Sequence, residues 1–222
     1  MAGAPIANTL PVRPLLLCFS CVTVFAQPFS FGVRAGVPLT DFFNGTGTAT
    51  NPYSSITNRY LIGPTAELRL PFGLGIEFDA LYRHYSYSSP GFRTASPPFI
   101  QLKYDSEEAS GSAWEFALLA KYRFHAKLAR PYVDAGAAWN RVSGLNALTC
   151  AINCGFTSTP PSLRQSTVTG FVAGAGIDVH VLFLHLSPEV RYTRWGGPQF
   201  QSVSGGFSSN RNQVEFLLGI TY

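Results

Sequence analysis

Charge is scarce in this chain. Only 13% of its 222 residues are Asp, Glu, Lys or Arg, about half the ~25% of an average soluble domain. Neither sign dominates: sixteen basic and twelve acidic residues leave a formal +4. So small an excess excludes a partner held by field strength, nucleic acid above all. Long apolar runs are missing too. After residue 26 no stretch reaches the ~18 residues a membrane helix needs, so the chain does not cross a bilayer as helices. Cysteine is rare, with four in all. Cys18 and Cys21 fall in the N-terminal apolar segment, which leaves Cys150 and Cys154 in a C-x3-C spacing. No His or third Cys lies near that pair in sequence, which argues against a metal site. Gly174-Ala175-Gly176 is followed by no helical pattern, so it is not a nucleotide fingerprint. No cofactor is expected.

The abundant residues are aromatics, at 14%, and glycine, with 21. The first 14 residues carry one base, Arg13, and no acid; LLLCFSCVTVF follows, too short to span as an anchor. Val24-Phe25-Ala26 then sets small residues at −3 and −1 of a cleavage point before Gln27. Residues 1–26 read as a secretory signal peptide and 27–222 as the mature domain. Leu17 before Cys18 and Phe19-Ser20 before Cys21 fit a lipidation motif poorly. Loss of Arg13 takes the charge from +4 to +3. Export places Cys150 and Cys154 in an oxidising compartment, where the pair is expected to form a disulfide. Closing so short a loop stabilises by roughly 2 kcal/mol in the chain-entropy model.

Eight segments alternate apolar and polar residues with period two: 29–37, 59–70, 74–86, 113–124, 131–141, 167–179, 184–195 and 213–222. Such alternation marks strands with two different faces. Each holds nine to thirteen residues, more than the ~5–6 typical of globular strands and close to the ~9–11 of a tilted membrane strand. Residues 38–58, 87–112, 142–166 and 196–212 are rich in Ser, Thr, Gly, Asn and Pro and show no period. They read as long loops, and they alternate with short turns at 71–73, 125–130 and 180–183. All long connections therefore lie at one end of an up-and-down barrel, as in outer-membrane barrels.

The apolar phase is banded. Tyr60, Tyr82, Trp114, Trp139 and Tyr192 fall near the long-loop end, and Phe29, Phe31, Phe72, Tyr122, Phe124, Phe183 and Tyr222 near the other. Aliphatic residues such as Ile62, Ile76, Leu118, Val133, Ile177 and Val190 lie between. Aromatic rings suit the headgroup level, so two belts around an aliphatic band describe a lipid-facing surface. The polar phase carries Arg34, Glu67, Arg69, Glu77, Asp79, Arg83 and Glu115, then Lys121, Arg123, Asp134, Asp178, Glu189, Arg191 and Glu215. Turned outward, each base would cost ~2–4 kcal/mol at the midplane. The charges therefore belong inside. Eight acids and six bases in a narrow lumen are expected to pair, because an unpaired buried charge costs several kcal/mol. Pro64 and Pro188 interrupt strands whose alternation keeps phase on both sides, which implies local distortions and not strand ends.

The chain ends NQVEFLLGITY, in which Val214, Phe216, Leu218, Ile220 and Tyr222 alternate to a terminal aromatic. With FGVRAGVPLTDFF and RPYVDAGAAW, this ending resembles the small outer-membrane β-barrel superfamily of OmpA- and OmpX-like proteins. The likeness covers about residues 28–222. It implies an all-β, eight-stranded antiparallel transmembrane barrel in the bacterial outer membrane. It also implies contact with outer-membrane lipids and lipopolysaccharide, and a C-terminal strand read by the barrel-assembly machinery. The usual terminal Phe is here Tyr. A monomer is expected, without the peptidoglycan-binding domain of the longer members.

Three functions follow as expectations. The first is a structural or adhesive role through four surface loops, without enzymatic activity. The second is a narrow channel for small solutes, set against a lumen filled by side chains, as eight strands favour. The third is a lipid A-modifying hydrolase: His84 and Ser86 in RHYS resemble the His-x-Ser element of lipid A deacylases, although Tyr87 stands where that family has Asn. Residues 104–108 (YDSEE) form an acidic stretch without the ordered ligand spacing of a cation loop. Arg93, Lys103, Arg141, Arg164 and Arg211 lie in or beside the loops, within reach of lipid phosphates.

Overall fold

A computed structural model describes residues 29–45, 54–57, 60–89, 106–126, 129–150, 154–160, 162–181, 184–201 and 207–222. The expected signal segment lies outside them. In chain order the strands are β1 (Phe29–Pro38), β2 (Phe43–Gly45), β3 (Ser54–Thr57), β4 (Leu61–Arg69), β5 (Leu74–Ser89) and β6 (Ser106–Arg123). There follow β7 (Ala129–Cys150), β8 (Cys154–Thr157), β9 (Thr167–Val181), β10 (Leu184–Trp195), β11 (Phe207–Ser209) and β12 (Asn212–Thr221).

Eight of these strands, β1, β4, β5, β6, β7, β9, β10 and β12, pair antiparallel in that order. The ring closes where β1 meets β12, from Gly32 opposite Thr221 to Pro38 opposite Glu215. Closure leaves no edge in the ring, so backbone donors and acceptors are satisfied strand to strand even where water is absent. The turn between β4 and β5 is tight. Leu70 N donates to Leu74 O at 2.9 Å, and Phe72 and Gly73 take φ of 64° and 80°. Both prolines sit inside strands. Pro64 stays in register with Val33 on the β1 side, while the pairing to β5 skips from Ile62 to Thr65 without slipping. Pro188 does the same between β12 and β9. Each proline thus interrupts a single ladder, because it lacks one donor.

The wall presents apolar residues outward. Phe31, Ile62, Phe78, Leu118, Val133, Phe171, Ile177, Val190 and Phe216 are each 41–64% exposed. Tyr82 packs on Trp114 at 5.3 Å and Trp114 on Phe116 at 6.2 Å. Tyr122 meets Phe124 at 5.1 Å at the opposite end. On β6, Trp114 and Tyr122 stand eight residues apart. At ~3.4 Å per residue and a tilt of ~40° that spans ~20 Å, near the ~25 Å apolar band of such barrels.

The wall is uneven in height. β5, β6 and β7 run 16, 18 and 22 residues, whereas β1, β4 and β12 run 10, 9 and 10. Much of 87–112 and 142–166, expected as loops, instead prolongs the β5–β6–β7 sheet, and β3 and β8 pair along its sides. On β7 the reason lies at Gly144. Ser110 pairs Asn146 but Ser112 pairs Ser143, so β7 holds one extra residue there, and Gly144 has φ +63°. A glycine in the left-handed region opening a bulge reverses the alternation beyond it. Even-numbered Tyr132, Ala138 and Val142 are buried below the bulge, and odd-numbered Leu145 and Ala147 above it.

Candidate functional site in the barrel lumen

The inward phase fills the cylinder in tiers. At mid-height, Arg34 reaches from β1 to Glu77 (2.8 Å) and Asp79 (3.2 Å) on β5 and to Glu189 (2.7 Å) on β10. Arg191 meets the same three acids at 3.4, 2.7 and 2.7 Å. All five side chains are at most 2% exposed. Lys121 bonds Glu77 and sits 4.2 Å from the centre of the Tyr132 ring. Tyr132 in turn donates to Glu189 at 3.0 Å. Its ring occupies the space a side chain at Gly176 would need, since a Cβ there would lie 2.5 Å from the ring and hydroxyl. Two cations sharing three carboxylates need that fork geometry, and arginine supplies it with five donors.

Toward the tall side, Arg83 bridges Glu115 and Glu215, each at 2.7 Å. Toward the short turns, Arg123 joins Glu67 to Asp178, the latter at 3.0 Å, and Arg69 stands 3.7 Å from Glu67. His185 Nδ1 lies 3.1 Å from Asp178, and its ring stacks on His180 at 4.6 Å. Thirteen of the fourteen inward charges therefore make ion pairs. Asp134 is the exception among the described residues: both oxygens are buried without a hydrogen-bond partner, although Lys121 is its register partner.

Above Arg83 the lumen turns apolar. Phe42, Phe43 and Phe200, from the connections after β1 and β10, pack with inward Tyr85 and Tyr87 of β5. Ring centroids lie 4.9–6.4 Å apart. Arg83 lies 5.5 Å below the Phe42 ring. Leu145, turned inward by the bulge, joins the cluster. A second layer, Leu119, Val168, Val172 and Trp195, lines the wall between. Sequence periodicity missed Phe42, Phe43 and Phe200, which lie in aperiodic stretches. The available signal was an apolar doublet, Phe42-Phe43, in an otherwise polar connection.

The other sequence candidates are dispersed. Phe216, Leu218, Ile220 and Tyr222 face outward on and just beyond β12, 40–66% exposed. Cys150 and Cys154 are register partners at the end of the β7–β8 hairpin. His84 and Ser86 share the outward face of β5, but among the described residues His84 has no carboxylate partner, so the third group of a relay is not assembled. Glu108 belongs to β6 and is exposed; Tyr104, Asp105, Arg93 and Lys103 lie outside the described residues. Arg141 and Arg164 are exposed, and Arg211 donates to Trp195 O and Gly196 O. Among the described residues no group of three or more His, Cys, Asp and Glu is placed to hold a metal ion.

No protein-family model matches the chain, and no curated protein does. Solved structures do match. The outer membrane protein OprG from Pseudomonas aeruginosa aligns over 87% of this chain and 93% of its own, with 12% identity and a TM-score of 0.54. Neisserial surface protein A aligns over 87% and 94%, with 14% identity and a TM-score of 0.43. At such identities the likeness to OprG is one of fold. Closed ring, inward charge and outward apolar belt agree with that fold, and the chain is a closed, eight-stranded antiparallel β-barrel with the fold of that outer membrane protein.

Proposed function

We propose that the protein is a surface-display barrel: a filled cylinder that holds a β-sheet above the outer leaflet, with a structural and binding role. The observation that carries this reading is the unequal strand length. A bilayer crossing takes ~9–11 residues, and β5, β6 and β7, at 16, 18 and 22 residues, run to roughly 1.5 to 2 times that length. Their surplus, flanked by β3 and β8, stands clear of the hydrocarbon. On it a cavity of about 380 Å³ gathers Ser88, Glu108, Ser110 and Asn146 beside Phe156, which is 84% exposed. Hydroxyl, amide and carboxylate groups next to an aromatic suit a polar ligand. On an array of glycans and matrix proteins, the full chain in detergent is expected to bind at least one ligand that Phe156→Ser loses. No signal above empty micelles would overturn the binding role.

The packed lumen supports a barrel that does not conduct. In planar bilayers the purified protein is expected to give no stepwise current above background, and steady unitary steps would contradict this.

The outward alternation ending at Tyr222 serves as the assembly signal for the barrel-assembly machinery, and lipopolysaccharide surrounds the outer half of the wall. Residues 1–26 are removed on export, and the Cys150–Cys154 disulfide staples the β7–β8 hairpin. Intact mass of the exported protein is expected to start at Gln27 and to rise by two hydrogen atoms on reduction. An unchanged mass after reduction would rule the disulfide out.

A further inference from the structure

The short-turn mouth of the barrel carries a cluster that the display role does not use. Arg69, Arg123, Arg130 and His125 line a cavity of about 550 Å³ beside the 71–73 turn, and none of its lining residues is acidic. Arg123 commits Nε to Asp178 and Nη2 to Glu67, so both acids anchor it from within the lumen. Its Nη1 remains, one of five donors. Arg69 is 30% exposed and held at 3.7 Å from Glu67. Arg130 is exposed and has no ion-pair partner among the described residues. Three guanidiniums, two of them fixed by acids that do not line the cavity, make a preorganised anion cradle.

The remaining lining is of the opposite kind. Leu70, Leu74 and Phe124 also border the cavity, 39%, 48% and 46% exposed. Leu74 and Phe124 continue the outward apolar wall, each beside Tyr122. A cationic floor therefore runs directly into a surface wetted by acyl chains. A free anion uses only the floor. A glycerophospholipid uses both, with its phosphate on the guanidiniums and a chain along Leu74 and Phe124.

We propose that this cavity is a binding site for a phospholipid of the periplasmic leaflet, and that it selects an anionic headgroup over a zwitterionic one. The proposal rests on the membrane orientation given by short turns at the periplasmic face, not on the display role. A basic pocket at the headgroup level attracts an acidic headgroup electrostatically.

Native mass spectrometry of the full chain, released from detergent with added lipid, tests it. The wild type is expected to retain one phosphatidylglycerol at about tenfold lower lipid concentration than phosphatidylethanolamine. Glycerol phosphate or inorganic phosphate at equal concentration should not displace it. Arg130→Gln, at an exposed and unpaired position, should bring the two lipids within about twofold while the protein keeps its heat-modifiable, folded band in gel electrophoresis. Equal retention of both lipids by the wild type would overturn the proposal, as would displacement by free phosphate. Selectivity that survives Arg130→Gln and Arg69→Gln alike would also overturn it.

Discussion

Arg34→Met is expected to lower the unfolding free energy by about 3–5 kcal/mol, the usual cost of leaving a buried charge without its partner. Arg34 faces Glu77, Asp79 and Glu189 at 2.8, 3.2 and 2.7 Å, and all four side chains are at most 2% exposed. Without it, Arg191 alone bridges three carboxylates, with Lys121 helping only at Glu77. Urea unfolding of the barrel in lipid vesicles, followed by fluorescence of its three tryptophans, measures the loss. Arg34→Lys keeps the charge but not the fork, so it should fall between wild type and Met. Arg34→Met combined with Glu189→Gln should recover part of the deficit, because the acid loses its charge with its partner. A change under ~1 kcal/mol would mean that water solvates the centre of the cylinder.

The second large effect lies on the opposite face of the wall. Leu118 is 46% exposed and stands midway between Trp114 and Tyr122 on β6. Leu118→Arg is expected to cost ~2–4 kcal/mol, as for a basic residue at the bilayer midplane. Phe156→Arg, at an 84% exposed position on the extension of the sheet, should shift stability by less than ~0.5 kcal/mol. The same urea titration compares them. Similar small effects at both positions would mean that water, not hydrocarbon, bathes Leu118.

Much of the wall was legible in the sequence because a wall with a polar inner face and an apolar outer face imposes a period of two on every strand in it. Positions such as Leu118 and Leu119 differ only in phase, and the phase places one outside and the other fully buried. The charges Arg34 and Glu189 are both visible as inward residues for the same reason. Their meeting is not visible, since β1 and β10 are far apart in the chain and the contact depends on where β12 sets both registers. The tall sheet was missed because Gly144 inserts a bulge, so that Val142 and Leu145 point the same way and the alternation appears to stop. The aromatic fill was missed for a different reason. Phe42, Phe43 and Phe200 lie in connections without periodicity, and the Phe42-Phe43 doublet marks burial without showing that the segment folds back into the lumen.

The claim beneath the whole account is that acyl chains contact the outward residues of the barrel. Spin labels at single cysteines 118, 119 and 120, in a Cys150→Ser, Cys154→Ser background reconstituted in vesicles, report contact with oxygen and with a water-soluble nickel chelate. Labels at 118 and 120 should collide freely with oxygen and be shielded from nickel, whereas the label at 119 should be shielded from both. Nickel relaxing the labels at 118 and 120 as efficiently as oxygen does would place water on that wall and contradict the account.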